Sequence, residues 1–239
     1  SLMQVNDVIL KACCKVMKYT LAEFRPYYHQ VISEVNENGI YQDLWARRAD
    51  MLTDKFLPND EIKVLHVKRG RWQIDPVADL KNGDLYILIN KKNLDQRINE
   101  AQAKGWSTHY LYSALLKNSY IKTKNPEPMS LFPMDPLEED EHKIWRQEDC
   151  ERILGDLYEK INRIIVVSVE YEGEIAATAH AIIYDSHYNI AEEMEISDYL
   201  LPVTYEENDV GDPSEAAPIK GQPLVKLKHS KKDQKRDNK

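Results

Sequence analysis

The sequence is poor in glycine, and none of its 8 glycines falls into GxGxxG, GxxxxGK[ST] or GxSxG. Dinucleotide-binding, P-loop and serine-hydrolase chemistries therefore lack the backbone turns they depend on. Cysteine is scarce too. Cys13, Cys14 and Cys150 are odd in number, and the adjacent pair is too close along the chain for ordinary disulfide geometry, so they read as small buried hydrophobes in a reducing compartment. The 7 histidines, His29, His66, His109, His142, His180, His187 and His229, stand singly, without HxxxH or CxxC spacing, and no metal or cofactor is expected. No apolar run approaches the roughly 18 residues a membrane span needs, so the expectation is a cytoplasmic protein without a membrane partner.

What remains is a core-forming composition, 42% hydrophobic with 4 Trp and 14 Tyr among 239 residues, with its charge segregated. Residues 1–124 carry 19 Lys/Arg against 14 Asp/Glu; residues 125–208 carry 5 against 21; residues 209–239 carry 8 against 5. An evenly solvated surface mixes its signs, so this chain has two differently behaving halves and a basic tail.

Apolar spacing from Val5 to Asn36 predicts two helices broken near Arg25-Pro26, because the residue before proline is pushed out of the α region. A third helix spans 41–56. After Pro58 the period becomes two, giving a three-strand meander: Ile62 to Val67, Trp72 to Ile74, and 85–90 after the Lys81-Asn82-Gly83-Asp84 hairpin signal. Helices follow from Asn93 to Lys104 and from Thr108 to Asn118. Residues 121–143, with four prolines and an acidic run, read as a linker or loop. A helix from Gln147, a hairpin around Gly173, a short strand at Tyr188 to Ala191, an acidic turn and a brief helix at Ser197 to Leu201 complete the pattern. The expected organisation is α+β: residues 1–120 as helices and meander, 121–143 as linker, 144–207 as helix plus hairpin, and 208–239 as a disordered basic tail. Whether the two β regions share a sheet is left open, as is the oligomeric state.

The helix, three strands, helix order of residues 41–104 resembles the core order of restriction-endonuclease-like nucleases. That resemblance implies a metal-dependent site, with Asp75 and Asp84 as its candidate carboxylates. The third strand supplies no acidic-x-Lys triplet. The most basic ordered stretch runs from Lys63 to Trp72, and Lys68, Arg69, Arg71 and Trp72 are the candidate DNA contacts, with Lys91, Lys92 and Arg97 as potential neighbours. A charged, protected hairpin edge explains the same residues.

Pro128-Met129-Ser130-Leu131-Phe132 resembles the bacterial sliding-clamp-binding pentapeptide, with proline in place of its glutamine. The resemblance implies docking of a replication protein through Met129, Leu131 and Phe132; burial on the protein's own core is the alternative. Taken together, LWARRADMLTDKF, VKRGRWQI, DLYILINKKNL, MSLF, RIIVVSVEYEG, AHAIIYD and EISDYL resemble an uncharacterised family of bacterial and phage-associated proteins of Firmicutes. The functional expectation is a non-catalytic accessory or regulatory protein of phage or prophage type, acting on nucleic acid or a replication protein. A degenerate nuclease and a purely structural, self-associating protein are the alternatives.

Overall fold

The computed structural model describes residues 4–70, 72–123 and 136–201, which belong to one compact unit. Helices α1 (Asp7–Lys18), α2 (Leu21–Val31) and α3 (Ile40–Phe56) precede strands β1 (Ile62–Val64), β2 (Val67–Arg69), β3 (Trp72–Ile74), β4 (Val77–Asp79) and β5 (Asp84–Asn90). Then come α4 (Lys91–Lys104), α5 (Tyr110–Ala114), α6 (Pro136–Leu154), β6 (Arg163–Glu172), β7 (Ile175–Tyr184) and β8 (Ile190–Glu195). The architecture is α+β, as the sequence pattern predicts.

Six strands form one sheet in the order β1-β4-β5-β6-β7-β8. Every pairing is antiparallel except β5 with β6, which runs parallel from Asp84↔Arg163 to Asn90↔Val169. That parallel seam joins the predicted meander to the predicted C-terminal hairpin in a single sheet. A parallel neighbour requires a long crossover, and α4 to α6 supply it.

Both faces of the sheet are covered. Tyr86, Ile165, Val167 and Val169 pack with Ile9, Val16 and Met17 of α1 and Leu52 and Phe56 of α3. The alternate residues Leu85, Ile87, Ile89, Ile164 and Val166 pack with Leu94 of α4, Leu111 of α5 and Cys150 and Ile153 of α6. A strand buried on both sides needs apolar residues at every position, which is why LYILI and IIVV read as continuous hydrophobic runs. All three cysteines are buried free thiols. Burial pushes Cys14 up to about 12 and Cys150 up to about 11, so neither is a thiolate near neutral pH.

Four local expectations need correction. The first two helices break at Tyr19-Thr20: the Thr20 amide donates to the Glu23 carboxylate at 3.2 Å, a capping arrangement that starts α2, and Pro26 is carried inside that helix. Helix α6 begins at Pro136, well before Gln147, so the last part of the predicted linker is helical; proline suits a first helical turn, and Glu138 and Glu139 favour the helix's positive end. The acidic turn after Tyr188 is instead the edge strand β8, whose glutamates charge an otherwise open edge. The first two strands of the meander are each bent, at Leu65-His66 and Asp75-Pro76. Their outer halves, β2 and β3, therefore form a separate two-stranded ribbon. The expected disordered tail, 208–239, lies outside the described residues.

Two buried groups fix the lower end of the central strands. Asp84 accepts two bonds from Arg163, each 2.7 Å. Gly83 adopts φ +73°, and a Cβ there would lie 2.6 Å from Asn162 Nδ2 and 3.0 Å from the Lys160 carbonyl. The Gly83 carbonyl accepts from the Asn162 and Arg163 amides at 2.7 and 3.1 Å, so this close approach aligns β5 with β6.

Candidate functional site

The bend that creates the ribbon is pinned by three contacts. The Leu65 amide donates to the Pro76 carbonyl at 2.9 Å, His66 Nδ1 and Asp75 Oδ1 are 2.7 Å apart, and Gln73 Nε2 donates to the same carboxylate oxygen at 2.7 Å. Proline cannot continue the ladder of the inner strands, so the chain leaves the main sheet here. In the ribbon Val67 pairs with Ile74, Lys68 with Gln73 and Arg69 with Trp72, around a turn in which Gly70 takes φ +61°.

Directly paired residues share a face. Val67, Arg69, Trp72 and Ile74 therefore lie on one side, where Val67 and Ile74 pack against the second core. Lys68 and Gln73 face the other way, exposed. Of the four residues the sequence singles out, Arg69 is engaged: its Nη2 donates to Asp149 Oδ2 at 2.8 Å and to the Thr108 carbonyl at 3.4 Å. Asp149 is fully buried and also accepts from Arg152, so α6 clamps the ribbon. Trp72, at 65% exposure, and Lys68 remain open to solvent. Arg71 lies outside the described residues, as do Met129, Leu131 and Phe132.

Asp75 and Asp84 sit at opposite ends of the β4–β5 pairing and have different partners, a hydrogen bond with His66 for one and an ion pair with Arg163 for the other. Among the described residues, no group of three or more His, Cys, Asp or Glu is placed to hold a metal ion. Likewise, no helix among them is long and apolar enough to cross a membrane.

Beside the ribbon's base, helix α4 and the N-cap of α5 add further polar groups. Arg97 donates to Glu100 Oε2 at 2.7 Å and to Asn93 Oδ1 at 3.2 Å. His109 caps α5, its Nδ1 accepting from the Leu111 amide at 3.4 Å, and its ring lies 4.1 Å from that of Tyr110. Burial, with Arg97 and then Arg69 nearby, pushes the His109 imidazole down to about 4. A neutral ring whose Nδ1 accepts carries its proton on Nε2. Of Lys91, Lys92 and Arg97, which the sequence suggests as neighbours, Arg97 stands near His109 together with Arg69, whereas Lys91 pairs with Asp95 at 2.5 Å. Asp149 could not be found by pattern, because on α6 it is one acid among many.

An α+β protein with a basic two-stranded ribbon clamped to a helix is the class this geometry defines. The chain belongs to a family of unknown function (DUF5986), whose model matches residues 7–239. Comparison with curated proteins and with solved structures returns no match.

Proposed function

We propose that the protein is a non-catalytic nucleic-acid-contacting accessory protein, with the β2–β3 ribbon as its contact element. The observation that carries this reading is the exposure of Trp72 beside the turn of a ribbon that is itself anchored by Arg69 and Asp149. An indole held in water on a rigid support is a platform on which an unpaired base stacks, while Lys68, and Arg71 next to Trp72 in the chain, supply phosphate attraction. The many carboxylates of residues 125–208 repel a strand elsewhere and leave the ribbon's exposed side chains as the contact. The sequence adds a second contact, Met129, Leu131 and Phe132, for a replication protein such as the sliding clamp, and a phage or prophage setting in a bacterial cytoplasm.

The test is fluorescence anisotropy of labelled single-stranded and duplex oligonucleotides over a salt series. Trp72→Ala is expected to weaken single-strand binding at all salts, and Lys68→Ala to reduce the slope of log K against log salt by about 0.7 per lost phosphate contact. Absence of saturable binding at low salt, or equal affinity for both variants and the unmodified chain, overturns the reading. Loss of sliding-clamp capture in Leu131→Ala/Phe132→Ala tests the second contact separately.

A further inference from the structure

The contacts that pin the ribbon's bend extend to helix α3. His66 Nε2 lies 3.5 Å from the Thr53 hydroxyl oxygen, while its Nδ1 lies 2.7 Å from Asp75 Oδ1. Threonine, histidine and aspartate thus meet in series, brought from α3, the β1–β2 bend and the β3–β4 bend. A carboxylate only accepts, so Nδ1 carries the imidazole proton, and the neutral ring turns its Nε2 lone pair toward Thr53. Gln73 Nε2 donates to the same carboxylate oxygen at 2.7 Å and adds a second hold on it.

A hydroxyl beside a base that is itself held by an acid is the arrangement that activates an oxygen nucleophile. In the resting chain the Thr53 hydroxyl donates to the Ala49 carbonyl at 2.8 Å. Rotation about its Cβ–Oγ bond turns the proton to His66 without moving the oxygen, and contacts of this kind shorten when a substrate is in place. Access is open where it is needed. The His66 side chain is 47% exposed and Thr53 is half-buried, whereas the Asp75 side chain is sheltered at 17%.

We propose that Thr53 is a site of covalent acylation, with His66 as its general base and Asp75 as the positioning residue. Thr53 Oγ1 attacks the carbonyl carbon of the donor as its proton passes to His66 Nε2. The bond from that carbon to the leaving sulfur or oxygen breaks, and the imidazolium returns the proton to the departing group or to water. The products are a Thr53 ester and the free leaving group, with no change of oxidation state. Position sets the class of donor: Thr53 lies in the last turn of α3, whose negative end disfavours a developing oxyanion. Amides and alkyl esters are therefore poor donors. Acyl phosphates, thioesters and aryl esters, whose leaving groups are weakly basic, fit. The site stands at the foot of the ribbon, yet it needs only α3 and the bend and does not rest on nucleic-acid binding.

The experiment treats the full chain with p-nitrophenyl acetate and maps the acetyl group by peptide mass spectrometry. Acetylation of Thr53 is expected, abolished in Thr53→Val, retained in Thr53→Ser, and slowed about a hundredfold in His66→Gln, the lower end of what a general base contributes. Asp75→Asn keeps polar groups at the bend but withdraws the charge that steadies the imidazolium. It should slow the reaction at least about tenfold while the melting temperature stays near that of the unmodified chain. A contact that served the fold alone would lower the melting temperature and leave the rate unchanged, which overturns the proposal. A second readout needs no donor: ¹⁵N shifts of the neutral His66 ring should show a protonated Nδ1 and a bare Nε2. A ring protonated on Nε2, acetyl groups confined to lysines, or Thr53 acetylated equally fast without His66 each overturn it as well.

Discussion

The Arg69 guanidinium reaches across 80 residues of chain to donate to the Asp149 carboxylate at 2.8 Å. This one bond ties the ribbon to α6, and Arg152 secures the same carboxylate from the helix side. Asp149→Ala leaves Arg69 facing the core without its counter-charge. The expected cost is about 3 kcal/mol, toward the lower end for breaking a buried pair, measured as a reduced urea midpoint. Exchange of the amides bonded within the β2–β3 ladder should quicken more than that of β6. If ribbon and sheet lose protection equally, the clamp is not local.

Gly83→Ala should destabilise the protein by about 2 kcal/mol or more, since it combines a left-handed residue with a Cβ that displaces Asn162. Gly70 has the same sign of φ but nothing within 4 Å of the added methyl, so Gly70→Ala should cost less in the same thermal melts. Equal losses would refute the role of close approach.

Acid should weaken the fold through His109. Its folded pKa, about 4, lies below the ordinary histidine value, so the unfolded chain takes up a proton that the folded chain refuses. Its contribution is complete above about pH 6.5 and is lost progressively as pH falls toward 4. His109→Asn keeps a side-chain cap for α5 and removes the titration. Its urea midpoint should change less than that of the unmodified chain across this window; parallel curves would assign the acid sensitivity elsewhere.

Asn118 is buried in full and bridges two strands, donating to the Ile164 and Tyr184 carbonyls at 3.0 and 2.7 Å and accepting from the Ile164 amide at 2.8 Å. Asn118→Leu is close in volume yet strands three backbone groups, so a loss of about 3 kcal/mol or more is expected in urea unfolding. A neutral result would mean water substitutes for the amide.

Element identity was largely legible because it rests on local pattern: the 41–56 helix, the Gly105 stop, now seen at φ +80°, and the hairpin around Gly173 all follow from period and turn chemistry. The parallel seam was not legible, since nothing in LYILIN or RIIVVSV states which edge each will join. Pro26 misled because a strong local rule yielded to the Thr20 and Glu23 cap six and three residues earlier. At the candidate site, the basic stretch was visible as composition. Which of its cations is free was not: Arg69 and Lys68 look alike in sequence, and only the alternation of the ribbon turns one toward Asp149 and the other toward water.

The β5–β6 seam also sets an order of events for a chain made from its N-terminus. Asp84 leaves the ribosome 79 residues ahead of Arg163, its partner in the seam. Until β6 arrives, LYILI has an open apolar edge and Asp84 lacks its counter-ion, so the nascent meander is the part of this molecule most in need of a chaperone.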